Sequence, residues 1–280
     1  MFGKSRQAYY QYKRRTLSQH DRDELILSVI RSVRSDAPRI GAYKLFCMVK
    51  EIFMGEAFMG RDRFFDFLRK HDLMLKRKRP RCTTNSNHMF RKHHNLIKDY
   101  IPTRPNTLWV SDITYIRTTG NFLYLHLVTD AYSRKIVGWK LSETLEAKHS
   151  VDALLGAIHQ VKDVCFSNLI HHSDRGIQYC CGAYTSVLYN HGIQISMTED
   201  YAPTDNAIAE RVNGILKSEW LDSPSLPADL SEANSRVEKA IHYYNNVRPH
   251  MSNQMKTPEE IHTGLIVSSQ VWKERYLKQI

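Results

Sequence analysis

The chain has 280 residues, 42% of them hydrophobic and 25% charged, with a net charge of +11. That length suggests about two domains, with enough apolar side chains to build their cores. No apolar run reaches the roughly 18 residues of a membrane span, and the N-terminal MFGKSRQAYYQYKRR shows no apolar segment of a secretory signal, so neither is expected.

The first third is basic and helical in pattern. Residues 1–100 carry 23 Lys+Arg against 10 Asp+Glu, and the remaining 180 carry 17 against 19. This asymmetry points to a polyanion-binding front and a differently tasked remainder. Ser18, three residues before Asp21, makes a capping-box-like helix start. Leu25, Val29 and Val33 follow at helical spacing beside Ile26 and Ile30, and Pro38 closes the segment. A second helix is predicted from Ile40 to Phe53, striped by Leu45, Val49 and Phe53. Gly55 and Gly60 break the chain before a third, Arg61 to His71, whose apolar side is Phe64, Phe65, Phe67 and Leu68. Arg61, Arg63, Arg69 and Lys70 are left to face outward. Two short helices around a Gly-containing turn, the second edged with basic residues, predict a helix-turn-helix-like DNA-binding domain over 1–75. The run KRKRPR (Lys76, Arg77, Lys78, Arg79, Arg81 around Pro80) opens a basic, phosphate-gripping linker over 76–103.

Beyond Thr103 the pattern changes. Strands are predicted at 107–118, 122–131 and 133–142, with a turn at Gly120–Asn121. A helix at about 147–161 follows, with Val151, Leu154, Leu155 and Ile158 inward, then a buried strand at 165–174. A helix at about 183–191, a short strand at 194–198 and a helix at about 206–220 complete the order βββαβαβα. This describes an α/β core, a mixed sheet with flanking helices over 104–225, followed by a C-terminal helical extension over 226–280. The five cysteines lack metal-ligand spacing and read as reduced thiols of a cytosolic protein. Trp109 and Trp139 read as core, and His171 and His172 as the end of a strand.

Three acids stand out. Asp112 interrupts the strand WVSDITYI, where a carboxylate is costly unless compensated. Asp174 sits where a strand ends in a Gly-containing turn, and Glu210 lies on a helix with small and apolar neighbours. A single strand-end Asp is more often a turn former or cap than a functional group. Three acids around one sheet would repel one another and raise each other's pKa unless cations neutralised them. An oxygen-only set suits a hard cation such as Mg²⁺. Two such ions about 3.5–4 Å apart could serve phosphoryl transfer, activating a nucleophile and stabilising the leaving oxygen. Asn206 and Lys217 share the helix face of Glu210, so Lys217 could hold a phosphate beside the metal. Asp130 is the rival carboxylate.

At these residues the chain resembles the DDE transposases and retroviral-type integrases. The order Asp112, Asp174, Glu210, the 35 residues between the last two, and Lys217 seven residues on all match the integrase-like branch. RPNTLWVSDITYI (104–116), YLHLVTDAYSRKIVGW (124–139), HHSDRGIQY (171–179), DNAIAERVNGILKSEW (205–220) and YYNNVRPH (243–250) with TPEE (257–260) are similar to the second-reading-frame transposase of the bacterial insertion-sequence-three family. RIGAYKL (39–45) resembles the start of that family's helix-turn-helix, with Tyr43 where its pattern has Arg. The resemblance implies an RNase H-like core with Asp112, Asp174 and Glu210 holding two Mg²⁺ ions, Mn²⁺ being the alternative. It also implies recognition of terminal inverted repeats in double-stranded DNA, 3′-end cleavage and strand transfer into target DNA. A homo-oligomer on DNA, in the cytoplasm at the nucleoid, goes with it. No heptad run is present here, which leaves the leucine zipper to an upstream-reading-frame partner. An RNase H-type nuclease, and a regulatory DNA-binding relative that does not itself transpose, are the alternatives. Tyr244, Arg248 and Pro249 are expected to pack the C-terminal helix on the core, with Arg248 near DNA.

Overall fold

The structure is a computed structural model that describes residues 6–53, 58–75, 92–161, 166–199, 206–222 and 225–264, with side chains from residue 19 onward. The chain forms two compact units, Met1–Lys76 and Arg77–Ile280.

The first unit has three helices, α1 (Arg6–Asp36), α2 (Ala42–Ile52) and α3 (Arg61–Lys70). α1 runs through Ser18 instead of starting there, because no Gly or Pro in residues 6–17 interrupts it. Its buried stripe is Ile26, Ile30, Val33 and Ala37, while Leu25 is 54% exposed. The apolar face is therefore rotated by one residue from the expected one. Leu45, Val49 and Phe53 are buried as expected, against Phe64, Phe67 and Leu68 of α3. Phe46 bridges these helices, with its ring 5.6 Å from that of Phe64.

The second unit is built on a five-stranded sheet in the order β3-β2-β1-β4-β5. β1 (Leu108–Arg117), β2 (Phe122–Asp130) and β3 (Ile136–Ser142) form an antiparallel meander. β4 (Ile170–Ser173) and β5 (Gln194–Met197) add in parallel beside β1. Parallel strands require crossovers. These are α4 (Ala147–Gln160) into β4, then α5 (Ile177–Cys180) and α6 (Gly182–Asn190) into β5. α7 (Ala207–Leu216) and α8 (Leu230–Asn246) cover the opposite face, and the short α9 (Pro258–His262) follows.

Strand alternation sorts the core between the two faces. Trp109 and Val128 point to the α4 side with Ala153, Leu154, Ala157, Ile158, Tyr184 and Leu188. Leu123, Leu125, Leu127 and Ile136 point to the other side, against Val212, Ile215 and Leu216 of α7 and Val237 and Ile241 of α8. Gly138 lets α4 approach β3: a Cβ there would stand 2.2 Å from the Ala153 carbonyl oxygen. Trp139 is only half-buried and borders the α7–α8 cluster.

Several expected boundaries shift. The third strand begins at Ile136, because Ala131–Ser133 form a turn that is followed by Arg134 at φ 68°. Asp130 makes that turn: its Oδ1 accepts from the Ser133 backbone N–H and hydroxyl, each at 2.7 Å, and Oδ2 accepts from Asn106 N–H at 2.7 Å. Fully buried and satisfied in this way, Asp130 is a hairpin staple and not a rival ligand. The strand expected from residue 165 shortens to Ile170–Ser173, preceded by a 3₁₀ turn at Phe166–Asn168. The part of the expected basic linker within reach of the sheet belongs to the core. Ile97 and Tyr100 pack on the Leu108–Val110 cluster, and Met197 N–H donates to the His94 carbonyl at 3.3 Å. That segment covers the β5 edge.

Candidate active site

The parallel register between β1 and β4 aligns Val110 with His172 and Ser111 with Ser173. One step further, it aligns Asp112 with Asp174 where β4 ends. Since 110 and 112 share a face, as do 172 and 174, both aspartates point to the α7 side. Two carboxylates are thus set side by side by strand pairing alone.

Asp112 is held by neutral groups. Asp112 Oδ1 accepts from Ile113 N–H at 2.8 Å, and Oδ2 accepts from Asn213 Nδ2 at 2.7 Å. No Lys or Arg pairs with Asp112 among the described residues. Burial pushes the Asp112 carboxyl up to about 7, and the neighbouring Asp174 charge adds to the rise. The hydrogen bonds from Asn213 and Ile113 oppose it, and the more weakly felt Glu210 adds to it. Asp174 Oδ1 accepts from Gly176 N–H at 3.0 Å, which turns the chain into α5. A Cβ at Gly176 would lie 3.0 Å from that oxygen, so Gly keeps the turn close to the carboxylate.

Glu210 stands in the first turn of α7, exposed to solvent. The helix is laid on β1 by two amides on the same face. Asn206 Nδ2 donates to the Ser111 carbonyl at 3.0 Å, and Asn213 donates to Asp112. Glu210 lies between them along that face. Asn206 is therefore buried as a brace and does not present itself to DNA. Asn213 was the residue missed in the sequence. Its spacing of three from Glu210 was the available signal, since i and i+3 share a helix face. Lys217 follows at the end of α7, half-buried, and begins a π-helical turn over Lys217–Leu221.

The oxygen-only donor set fits a hard cation. Asn213 Oδ1 is buried beside Asp112 and accepts no hydrogen bond. The three carboxylates do not converge on one point in this structure: among the described residues, no three His, Cys, Asp or Glu side chains are grouped to hold a metal ion. The pair Asp112–Asp174 forms the base of the site, and Glu210 flanks it.

The opposite face of the same strands is neutral. His171 Nε2 meets Ser111 Oγ at 2.7 Å and Tyr184 Oη at 2.9 Å. On the aspartate face, His172 Nδ1 meets Ser196 Oγ at 2.8 Å. Burial pulls His171 down to about 3, so it is an uncharged core residue, as its strand-end position suggested.

Of the basic residues singled out, Arg61, Arg63, Arg69 and Lys70 are all exposed on α3. Arg61 pairs with Asp62 and Arg69 with Asp66 on the same helix, whereas Arg63 and Lys70 have no ion-pair partner among the described residues. Lys76, Arg77, Lys78, Arg79 and Arg81 lie outside the described residues. Arg248, expected to pack the C-terminal helix on the core and to lie near DNA, is buried and bonded in bidentate fashion to Glu219, at 2.8 and 2.6 Å, which agrees with the packing role. No described helix is long and apolar enough to cross a membrane.

Comparison with known proteins agrees with this architecture. Two family models, each described as an integrase core domain, match residues 102–203 and 191–258. The chain is 32% identical over 253 residues to the insertion element IS600 uncharacterized 31 kDa protein of Shigella sonnei, covering 89% of this chain and 92% of that protein. It is 37% identical over 168 residues to the transposase for insertion sequence element IS904 of Lactococcus lactis, covering 59% of this chain and 65% of that one. Among solved structures it aligns with the HTLV-2 integrase catalytic core domain in complex with magnesium, at 21% identity and a TM-score of 0.45, over 57% of this chain and 97% of that one. The strand order, the paired aspartates on the α7 face and the near full-length relative lead to one conclusion: the chain belongs to the integrase-core family of insertion-sequence transposases, in the insertion-sequence-three-like group.

Proposed function

We propose that this chain cleaves DNA at the ends of an insertion sequence and joins the freed 3′-hydroxyls to target DNA. The observation that carries this reading is the Asp112–Asp174 pair: a half-buried carboxylate raised to about 7, beside a second one, with only neutral donors on it. Asp112 and Asp174 would hold divalent cations with Glu210 as the third ligand, two Mg²⁺ ions in this reading and Mn²⁺ as the alternative. Bound there, the ions supply charge neutralisation for in-line phosphoryl transfer at the scissile phosphate. The carboxylates act as ligands, so no covalent protein–DNA bond forms.

The chain's own residues do the rest. Asn213 orients Asp112 through its 2.7 Å bond, and Asn206 fixes the start of α7 against β1. Lys217 places an ammonium on the Glu210 face, where it would hold a phosphate of the DNA end. Arg63 and Lys70 on α3, with the basic run 76–81, would grip duplex phosphates, giving binding that weakens steeply with salt. Assembly of several copies on paired DNA ends, with an upstream-frame protein as partner, belongs to the same reading.

The test is strand cleavage of a duplex carrying the element's end, with Mg²⁺, by the parent and by Asp174→Asn. Loss of at least a thousandfold in rate, with DNA binding and folding retained, is expected. Cleavage by the variant at the parent rate sinks the assignment. An RNA–DNA hybrid offered in parallel should remain uncut.

A further inference from the structure

The helix bearing Glu210 does not end in an ordinary cap. It passes into a five-residue π-helical turn, Lys217–Leu221, closed by Asp222 N–H donating to the Lys217 carbonyl at 2.8 Å. Such turns are intrinsically disfavoured and need external support. Here the support is a buried ion pair. Glu219, in the middle of the turn, accepts both arms of Arg248, from Nε at 2.8 Å and Nη2 at 2.6 Å. The Arg248 side chain is 1% exposed, and its guanidinium lies 5.6 Å from the Tyr244 ring centroid at the end of α8. Trp220, the next residue of the turn, packs its ring 5.8 Å from that of Tyr243.

A buried ion pair is a poor way to gain stability, since desolvation cancels much of its attraction, but it fixes orientation well. What it fixes here is the segment that starts at Lys217. Through Ser218, the one residue between Lys217 and Glu219, the clamp sets where the ammonium leaves the helix face carrying Glu210.

We infer that Arg248 and Glu219 are positioning residues for the transfer reaction, clamping the π-helical turn so that Lys217 meets a DNA phosphate in register with Glu210. This rests on the function proposed above. Neither residue touches the reacting atoms; they act through Lys217. Arg248→Lys keeps the cation but cannot make the two-armed contact. Glu219→Gln keeps the shape and one acceptor, and it carries the same test if Arg248→Lys does not fold.

The experiment measures single-turnover cleavage of element-end duplex with Mg²⁺ at saturating DNA, and the salt dependence of DNA binding. It uses the parent, each clamp variant, Lys217→Ala, and each clamp variant combined with Lys217→Ala. Each clamp variant should lose about tenfold in cleavage rate. Each should also lower the slope of log K against log salt by about 0.9, the share of one phosphate contact. Combined with Lys217→Ala, it should cost no more than Lys217→Ala alone. A parent-like slope in a folded clamp variant, or losses that add to those of Lys217→Ala, overturns the inference by showing a purely structural tie. Asp112→Asn serves as the control for the underlying reading. If it cleaves like the parent, the proposed function fails, whatever the clamp variants show.

Discussion

Asp112→Asn should make the metal-free protein more stable. The carboxyl is held at about 7 in the folded chain against an ordinary value of 3.8. The folded state therefore binds this proton more tightly than the unfolded state between those two values. Stability from this group is present at low pH and lost as pH rises from 3.8 through 7. Ionising the folded carboxylate above pH 7 costs at most roughly 4 kcal/mol, at about 1.4 kcal/mol per pKa unit. An amide removes that cost. It can keep the Ile113 N–H bond with its own oxygen, and its NH₂ group would face Asn213. Asn213 has a buried Oδ1 with no partner, so a flip of its amide satisfies the new donor. The expected gain is about 2–4 kcal/mol at pH 8, shrinking to about 1–2 kcal/mol at pH 5. Urea unfolding in chelator, followed by tryptophan fluorescence, measures this in the core unit alone, since Trp109, Trp139, Trp220 and Trp272 all lie beyond residue 76. A variant less stable than the parent at pH 8, or a difference that does not change with pH, refutes the reasoning.

Three other perturbations have defined outcomes. His126 and His171 are pulled down by burial to about 4 and about 3, so each takes up a proton only on unfolding as pH falls below 6.5. With Asp112 opposing them, parent stability should fall by about 1.4 kcal/mol per pH unit between pH 6 and 4.5, and by about 2.7 in Asp112→Asn, read by urea titration at each pH. Gly138→Ala should cost about 3 kcal/mol or more in the urea midpoint of the core unit, because its Cβ would meet the Ala153 backbone at 2.2 Å. Asn213→Ala should slow cleavage roughly 10–100-fold at fixed Mg²⁺ while leaving duplex affinity unchanged, as expected for loss of a group that orients a metal-bound carboxylate.

Much of the core was legible because its signals are local. The three-strand meander, the following helices and the facing of Asp112 and Asp174 all follow from alternation and turn residues. The parallel register then aligns the two aspartates without further input. What the sequence hid depends on contacts across long separations. Arg248 is expected from sequence to pack the C-terminal helix, but its partner is hidden, because nothing nearby in the chain indicates that Glu219, 29 residues earlier, will bury it. Asn206 shares the Glu210 face but turns inward, since Ser111 offers a carbonyl there. Asp130 and Asp112 are both strand acids in sequence. The structure separates them by their donors: three bonds close Asp130 into a hairpin, and two neutral bonds leave Asp112 poised near 7. In the first unit the helical period was plain, but its phase was not, because Leu25 and Ile26 are equally apolar and only packing chooses between them.

The two faces of the sheet show where this fold places its electrostatic cost. On the α4 side burial holds His171 uncharged, and the hydroxyls of Ser111 and Tyr184 both meet its Nε2. On the α7 side the helix is fastened by Asn206 and Asn213, amides that bind oxygen without neutralising charge. A Lys or Arg at position 213 would pair with Asp112 and relieve the repulsion, yet it would occupy the place of a cation. Asparagine holds the carboxylate in position and leaves its charge uncancelled. In the function proposed above, the same choice makes the metal-free core less stable than it could be and would keep the site receptive to a divalent ion.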